Sequence, residues 1–325
     1  MLAKACVPRY SPGVQDKQQD EGRAAARSRM VERARAALLD LVEGPLEPGL
    51  YLVATPIGNL GDISLRALAV LARADLIAAE DTRHSRKLLT HFGISAELTP
   101  YHEHNAARER PRLLSRIKAG FAISLISDAG TPLISDPGYK LVREALDAGL
   151  KVTSLPGPSA ALAALTSVGL PTDTFLFAGF LPVKSGPRQR RLAELKPVPA
   201  ALVLFESASR LAKSLADMAF VLGPREAAIA KELTKLHETV TRGRLDTLAA
   251  ELGRELKGEF VVVIAPPMPE EGELSDEAVM AALEQTLATE SFRDAVRSVA
   301  ERLQVKRSRV YELGLALDRA KRDEG

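Results

Sequence analysis

Three loops rich in glycine and proline hold the residues of this chain that are best suited to bind a small ligand. They span residues 55–62, 127–138 and 156–160, and each follows a short apolar run. Glycine lets the backbone approach a ligand, while proline fixes the loop before binding. In open α/β sheets, ligands bind outside the carboxyl ends of the strands, where such loops lie. None has the spacing of a phosphate-binding or dinucleotide-binding motif, so ordinary turns between strand and helix remain the alternative.

A fourth loop, AEDTRH (79–84), carries ionisable groups at the end of another apolar run. Glu80 or Asp81 could accept a proton or bind hydroxyl groups, and Arg83 and His84 could contact phosphate. The alternative is that Asp81 caps a helix whose first turn is solvated.

The charged segment KELTKLHE (231–238) also follows an apolar run, and the pattern is compatible with either a site or a plain surface face. The histidines His91, His102 and His104 lack the spacing of metal ligands. We therefore expect no metal site.

Two basic stretches could follow the phosphate backbone of a nucleic acid. The members of the first are Lys184, Arg188, Arg190, Arg191 and Lys196. The members of the second, near the carboxyl terminus, are Arg293, Arg297, Arg302, Lys306, Arg307 and Arg309. The two helical segments of the second stretch, joined at 304–305, resemble a helix-turn-helix. Solvated helix faces are the alternative for both stretches.

The composition excludes several classes of protein. The chain has 325 residues with 46% hydrophobic and 26% charged residues, which is typical of globular domains. Its 44 basic and 42 acidic residues leave a formal net charge of +2, so any nucleic-acid surface must be local. The single cysteine, Cys6, excludes a disulfide framework and fits a reducing compartment, so we expect a cytoplasmic protein. No apolar run approaches the length of a membrane helix, and we expect no membrane contact.

Apolar runs alternate with segments of helical periodicity from residue 50 onward, which predicts an α/β fold with a largely parallel sheet. The predicted strands are 50–54, 76–79, 121–126, 152–155, 175–180, 201–205, 227–230, 239–242 and 260–265. The predicted helices are 65–72, 85–92, 106–118, 139–148, 160–168, 211–221, 276–288, 292–303 and 306–319.

Four segments follow from this pattern. We expect residues 1–48 to be a disordered extension, 49–168 to form an amino-terminal α/β domain carrying the ligand loops, and 169–266 to form a second α/β domain. Residues 275–319 are expected to form a helical segment resembling a helix-turn-helix. The stretch 182–199, rich in Pro, Lys and Arg, predicts a hinge, and 266–274 reads as an exposed linker.

Six motifs occur together and in order. They are TPIGNLGDISLRA (55–67), AEDTRHS (79–85), SDAGTPLISDPGY (127–139), LPGPSA (155–160), FAGFLP (177–182) and KELTKLHE (231–238). On these motifs the chain resembles the ribosomal small-subunit methyltransferase I family, a branch of the tetrapyrrole methylases. The likeness runs from about residue 50 to residue 265, and a three-helix tail also accompanies family members. One departure is Glu206-Ser-Ala-Ser-Arg210, where the family usually has Glu-Ser-Pro-His-Arg.

The resemblance implies two α/β domains with a cofactor cleft between them, and a homodimer. It also implies methyl transfer from S-adenosyl-L-methionine to the ribose 2′-hydroxyl of a cytidine in the decoding region of 16S rRNA, in the small ribosomal subunit. Carried over by position, the cofactor contacts fall on Pro56, Ala129, Gly130, Thr131, Ile134, Ser159, Ala160, Glu206 and Leu233. A sulfonium bearing an adenine needs backbone donors, apolar walls and little cationic charge near sulfur. Loops of Gly, Ala, Pro, Ser and Thr supply these features.

A ribose hydroxyl is a poor nucleophile while it is protonated, so a base within hydrogen-bond reach should help. The candidates are Asp81, which we prefer, and Glu232, with Lys231 able to stabilise a developing alkoxide. The residues expected to hold RNA phosphates are Arg83, Arg188, Arg190 and Arg191.

Two other functions remain open at this point. One is a sister methylase that acts on a tetrapyrrole or another small molecule, although a basic loop and a helical tail suit a polyanion better. The other is a non-catalytic nucleic-acid-binding protein that uses residues 275–319. An intact set of ligand loops argues against the latter.

Overall fold

The computed structural model describes residues 14–251, 257–267, 275–303 and 305–323. Its strands form two five-stranded sheets, one from each half of the chain, and helices cover both faces of each sheet. The expected α/β class is confirmed.

The first sheet is wholly parallel, with strand order β3-β2-β4-β1-β5. Its strands are β1 (Gly49–Val53), β2 (Leu76–Ala79), β3 (Leu98–Pro100), β4 (Ala122–Ile126) and β5 (Val152–Leu155). Its helices are α2 (Leu65–Arg73), α3 (Thr82–His91), α4 (Ala106–Lys118) and α5 (Tyr139–Asp147). The helices α2 and α3 cover one face, and α4 and α5 the other. Strands covered on both faces read as continuous apolar runs, as LIAA of β2 does.

The second sheet is mixed, with order β6-β7-β10-β8-β9, in which only β6 and β7 run parallel. Its strands are β6 (Phe175–Phe180), β7 (Ala201–Ser207), β8 (Glu226–Lys231), β9 (Thr239–Arg244) and β10 (Glu259–Ile264). Its helices are α6 (Ala160–Ser167), α7 (Ser185–Leu195), α8 (Ala208–Leu222) and α9 (Leu245–Glu251).

The helix α6 joins the two halves of the chain. It directly follows the last strand of the first sheet, yet its buried Ala161, Ala164 and Leu165 pack on the second sheet. On the opposite face of that sheet lie α7, α8 and α9. Ile57, from the loop after β1, is buried in the same cluster as α6. The two sheets therefore share packed side chains next to the ligand loops.

Three elements were not foreseen from the sequence. The strand β3 has only three residues and an incompletely buried pattern, which leaves too little periodicity to detect. The expected hinge at 182–199 is wrong, because α7 occupies most of it. Buried Leu192 and Leu195 anchor α7 to the second sheet, and Pro187 lies in its first turn, where proline is tolerated.

The expected disorder of residues 1–48 is also not what the structure has where it describes them. An α-helix, α1, spans Val14–Val42, and residues 1–13 lie outside the described part. Its run of alanine and arginine favours helix. Arg73 of α2 donates hydrogen bonds to the carbonyl oxygens of Leu41, Gly44 and Pro45, at 2.8, 2.9 and 2.6 Å. These bonds fix the carboxyl end of α1 against the first sheet.

Three helices near the carboxyl terminus share a small core of their own. They are α10 (Asp276–Leu287), α11 (Phe292–Leu303) and α12 (Arg307–Asp323). Residues 268–274 of the expected linker and Gln304 between α11 and α12 lie outside the described part. No helix in the described ranges is long and apolar enough to cross a membrane.

Candidate functional site

The three glycine and proline loops lie side by side at the carboxyl edge of the first sheet. Backbone hydrogen bonds of 2.9 and 3.0 Å join Thr55 of the first loop to Gly130 of the second. The Thr131 hydroxyl donates to the carbonyl oxygen of Pro158 in the third loop at 3.1 Å. These bonds hold the loops as one unit before any ligand arrives.

A cavity of about 470 Å³, the first cavity, opens between these loops and the second sheet. The second and third loops supply one wall. The strand ends of β7, β8 and β10 supply the other, with Phe205 and Phe260 as aromatic surfaces. A volume of this size is typical of cofactor and small-molecule sites.

The charged side chains that line the first cavity all carry carboxyl groups. They are Glu80, Asp128, Asp136, Glu206 and Glu259; no Lys, Arg or His is among the described lining residues. Such a wall favours a cation and disfavours an anion. The described residues contain no group of three or more His, Cys, Asp or Glu placed to hold a metal ion.

Burial raises the pKa of Asp136 from 3.8 to about 6, with repulsion from Glu80 adding to the rise. Burial also raises the pKa of Glu80, and the neighbouring Asp128 carboxylate contributes. Two carboxyl groups of the cavity are thus held closer to neutral pH than ordinary carboxyl groups. A positive charge placed among them would be stabilised by their ionised forms.

Eight of the nine residues predicted to contact a cofactor line the first cavity, all but Pro56. Pro56 lines a neighbouring cavity described below. The Glu206 side chain is turned inward: it accepts from the Ser207 amide at 2.9 Å and the Ser214 hydroxyl at 2.5 Å, and it pairs with Arg210. Its carboxylate is therefore engaged in holding the turn between β7 and α8.

The loop after β4 adopts backbone conformations that few side chains accept. Leu133 and Ser135 have φ of 73° and 71°, and Gly130 has φ of 80°. A Cβ at Gly130 would lie 3.3 Å from Ile57 Cγ2, so this position also lacks room for a side chain. Strain of this kind concentrates at binding sites, where the surrounding packing maintains it.

The residues predicted to be catalytic do not line the first cavity. Asp81 caps α3 by accepting from the Arg83 amide at 2.8 Å, which was the alternative open to it, and this bond lowers its pKa. Its own amide donates to Asp128 Oδ1 at 3.0 Å. Glu232 Oε1 accepts from Lys235 Nζ and from the Glu259 amide, both at 3.0 Å, and Lys231 ends β8. Glu232 therefore holds its own loop together.

The sequence left Asp128 and Asp136 without a role, although both lie in the glycine loop SDAGTPLISDPG. Two carboxyl groups in one ligand loop were the available signal. Their proximity to Glu80, from the strand end of β2, depends on the order of the strands in the sheet and could not be seen in the sequence.

The predicted RNA-binding arginines separate into two groups. Arg188 is wrongly assigned, because it is 3% exposed and its guanidinium pairs with Asp217 at 2.6 Å. Arg83 and Arg190 are exposed, and Arg191 is exposed but pairs with Glu194. In the carboxyl-terminal helices, Arg297 pairs with Asp294, and Arg309 pairs with Asp276.

A second cavity, of about 560 Å³, adjoins the first. The two share Ile57, Asp128, Ala129 and Glu259. The second cavity is lined by the loop after β1, by one face of α3 and by Lys235 from the second half of the chain. Unlike the first, it presents basic side chains.

Known proteins share both the sequence and the fold of this chain. The family model of Tetrapyrrole (Corrin/Porphyrin) Methylases matches residues 49–249. Ribosomal RNA small subunit methyltransferase I of Mesorhizobium japonicum is 57% identical over 235 residues, which are 71% of this chain and 80% of that protein. The protein of the same name from Vibrio cholerae is 46% identical over 275 residues, 82% of this chain and 94% of that protein.

Solved structures confirm the fold at low sequence identity. A uroporphyrin-III-C-methyltransferase from Thermus thermophilus has a TM-score of 0.50 at 22% identity, over 67% of this chain and 94% of that one. A diphthine synthase has a TM-score of 0.51 at 19% identity, over 66% and 89%. The fold thus serves proteins with different names, and the site has to identify the reaction.

Proposed function

Since this chain belongs to the tetrapyrrole methylases and, within them, to the ribosomal RNA small subunit methyltransferase I family, we propose that it methylates 16S rRNA. The methyl donor is S-adenosyl-L-methionine, and the acceptor is the ribose 2′-hydroxyl of a cytidine in the decoding region. The proposal covers the small ribosomal subunit as the substrate particle, a homodimer as the working form and the cytoplasm as the location.

The observation that carries the proposal is the charge of the first cavity. S-adenosyl-L-methionine holds its methyl group on a positively charged sulfur, and the charged groups lining this cavity are all carboxyl groups. Attraction between opposite charges is stronger in a partly buried site than in bulk water. A phosphate-bearing cofactor would be repelled by the same wall.

The other residues of the cavity also fit this cofactor. Ala129, Gly130 and Thr131 expose backbone groups that can bind an adenine, and Ile134 with Leu233 offers apolar surface. A Cβ at Gly157 would lie 2.8 Å from Ala54 Cβ, so the third loop stays close to the first only because this position is glycine. When bound, the cofactor supplies a methyl group that is already activated for displacement, with a neutral thioether as leaving group.

The protein then has two tasks, which are to position the hydroxyl and to accept its proton. Glu80, Asp128 and Asp136 face the first cavity and can accept it, whereas Asp81 and Glu232 are engaged in loop hydrogen bonds. We assign the proton to Asp128 because it alone of the three also borders the second cavity. Asp81 keeps a supporting part, since its amide orients Asp128.

The test is transfer of radiolabelled methyl from S-adenosyl-L-methionine to small ribosomal subunits from a strain lacking this gene, with the modified nucleotide mapped. We expect label on one cytidine ribose in the decoding region. Cofactor binding by calorimetry with no label on RNA would contradict the substrate and favour a small-molecule methylase. Absence of cofactor binding would contradict the proposal altogether. Light scattering coupled to size exclusion tests the homodimer.

A further inference from the structure

The second cavity has chemistry complementary to that of the first. Its wall includes Lys87 and Lys235 with the imidazoles of His84 and His91, and the apolar side chains of Leu60 and Leu88 lie between them. Cations bind phosphate, while apolar and imidazole surfaces can pack against a base. A nucleotide needs both kinds of surface in one cavity.

The helix α3 supplies most of this wall through one face. Its residues 84, 87, 88 and 91 recur at the spacing that places side chains on one side of a helix. Lys87 is exposed, and among the described residues it forms no ion pair, so its ammonium is available to a ligand. Lys235, by contrast, is held by Glu232 and Glu259 at 3.0 and 2.8 Å.

A buried hydroxyl in this wall has no partner within the protein. Ser85 is 2% exposed, lines the second cavity, and its Oγ forms no hydrogen bond within the described structure. Buried hydroxyls are normally satisfied, so an unpaired one at a cavity wall indicates a place for a ligand atom. This observation is independent of the charge of the cavity.

We propose that the second cavity holds the target nucleotide of the RNA strand, an inference that rests on the proposed function. The base lies against Leu60 and Leu88, a phosphate contacts Lys87, and Ser85 offers its hydroxyl to the nucleotide. The ribose then sits at the wall shared with the first cavity. There the 2′-hydroxyl meets Asp128, which takes its proton as the oxygen bonds to the methyl carbon and the carbon–sulfur bond breaks.

The experiment measures KM for small ribosomal subunits and, separately, cofactor affinity by calorimetry. Lys87→Ala should raise KM about tenfold, and Ser85→Ala about threefold, as expected for lost hydrogen bonds to a charged and a neutral group. Cofactor affinity should stay at the wild-type value in both. Lys118→Ala is the matched control, because this exposed lysine ends α4 at the opposite edge of the sheet.

The outcomes separate this inference from the function on which it rests. If the wild-type protein methylates the cytidine while Lys87→Ala keeps the KM of Lys118→Ala, the nucleotide site is elsewhere and the proposed function stands. Equal loss of cofactor affinity and RNA affinity in Lys87→Ala would also overturn the assignment. If the wild-type protein labels no RNA, the proposed function fails and the nucleotide site fails with it. Melting temperatures of the variants confirm that each is folded.

Discussion

Asp81 and Asp128 are joined by a hydrogen bond, yet only Asp128 borders the cavities. The sequence showed a carboxyl group at a strand end, and Asp81 met that description. Which of two neighbouring carboxyl groups turns toward a ligand depends on local capping geometry, since an N-cap residue directs its side chain back to its own helix. This is a contest between two local interactions that residue types alone do not decide.

Substitutions distinguish the two aspartates. We predict that Asp128→Asn lowers kcat by about a hundredfold, the lower end of what general-base catalysis contributes, with cofactor affinity reduced only modestly. Asp81→Asn keeps an N-cap oxygen and should lower kcat by less than about fivefold. Single-turnover methyl transfer with saturating cofactor is the measurement. Equal losses in the two variants would contradict the assignment of the proton to Asp128.

Asp136 predicts a pH dependence of stability. Its pKa is raised from 3.8 to about 6, so the folded protein binds more protons than the unfolded chain within that window. The free energy of unfolding therefore falls as pH rises from about 4 to about 6. Asp136→Asn, which cannot ionise, should be more stable than the wild type at pH 8, by about 1 kcal/mol once solvent screening is allowed for.

The advantage of Asp136→Asn should vanish near pH 4, where the wild-type carboxyl group is also neutral. Melting temperatures at pH 4, 6 and 8 make the comparison. Asp173→Asn, an exposed position outside both cavities, is the control and should show no such trend. A constant difference between Asp136→Asn and the wild type at all pH values would show that the Asp136 charge is not responsible.

At the scale of elements, α7 shows how a charge run can mislead. Five basic residues in 184–196 suggested an RNA surface, but every helix that packs on a sheet buries one side. Position 188 falls on the buried side with Leu192 and Leu195. The sequence contained the apolar spacing, and the density of prolines and cations around it concealed the helix. Strand and helix alternation elsewhere was strong enough to predict the fold class.

Asp217 on α8 compensates the buried Arg188. The Asp217 side chain also accepts hydrogen bonds from Ser185 and Gln189, and the side chains of the ion pair are 4% and 11% exposed. Asp217→Ala leaves a buried guanidinium without a carboxylate, and we predict a loss of about 3 kcal/mol in the free energy of unfolding. Glu194→Ala, which breaks the exposed pair with Arg191, should cost less than about 0.5 kcal/mol. Denaturant titration measures both, and similar values would contradict the prediction.

Gly58 marks the contact between the loop after β1 and the segment 231–238. A Cβ there would lie 2.4 Å from Lys235 Cγ and 3.0 Å from Thr234 Oγ1. We predict that Gly58→Ala pushes this segment away and lowers the free energy of unfolding by about 2 kcal/mol. It should also raise KM for RNA, because Lys235 moves. Gly61→Ala, in the same loop with 3.2 Å to Asn59 Oδ1, is the matched control with a smaller effect on both quantities.

At the scale of the whole molecule, the helix α1 is the least integrated described part. Of its described side chains most are exposed, and none lines either cavity. We predict that deletion of residues 1–40 leaves kcat and KM within about twofold of the full chain, since truncations are tolerated where little is buried. Residues 41–48 are retained because their carbonyl groups bind Arg73. A large increase in KM would assign α1 a part in RNA binding.

The division of the chain into two sheets followed from sequence patterns, whereas the joining of the sheets by α6 did not. A helix after a strand is normally expected to cover its own sheet, and only tertiary packing shows that α6 covers the next one. The cleft between the halves was accordingly available from resemblance alone. The charges on its two sides became visible only when residues distant in sequence were brought together.

The opposite charges of the two cavities have a consequence for the order of events after methyl transfer. The reaction leaves the RNA strand with all its phosphates, so the basic cavity holds the product as firmly as the substrate. The sulfur, however, gives up its positive charge and becomes a neutral thioether among carboxyl groups chosen for a cation. Each turnover thus weakens the grip of the first cavity on its own spent donor. Product inhibition by that donor is thereby reduced without any moving part.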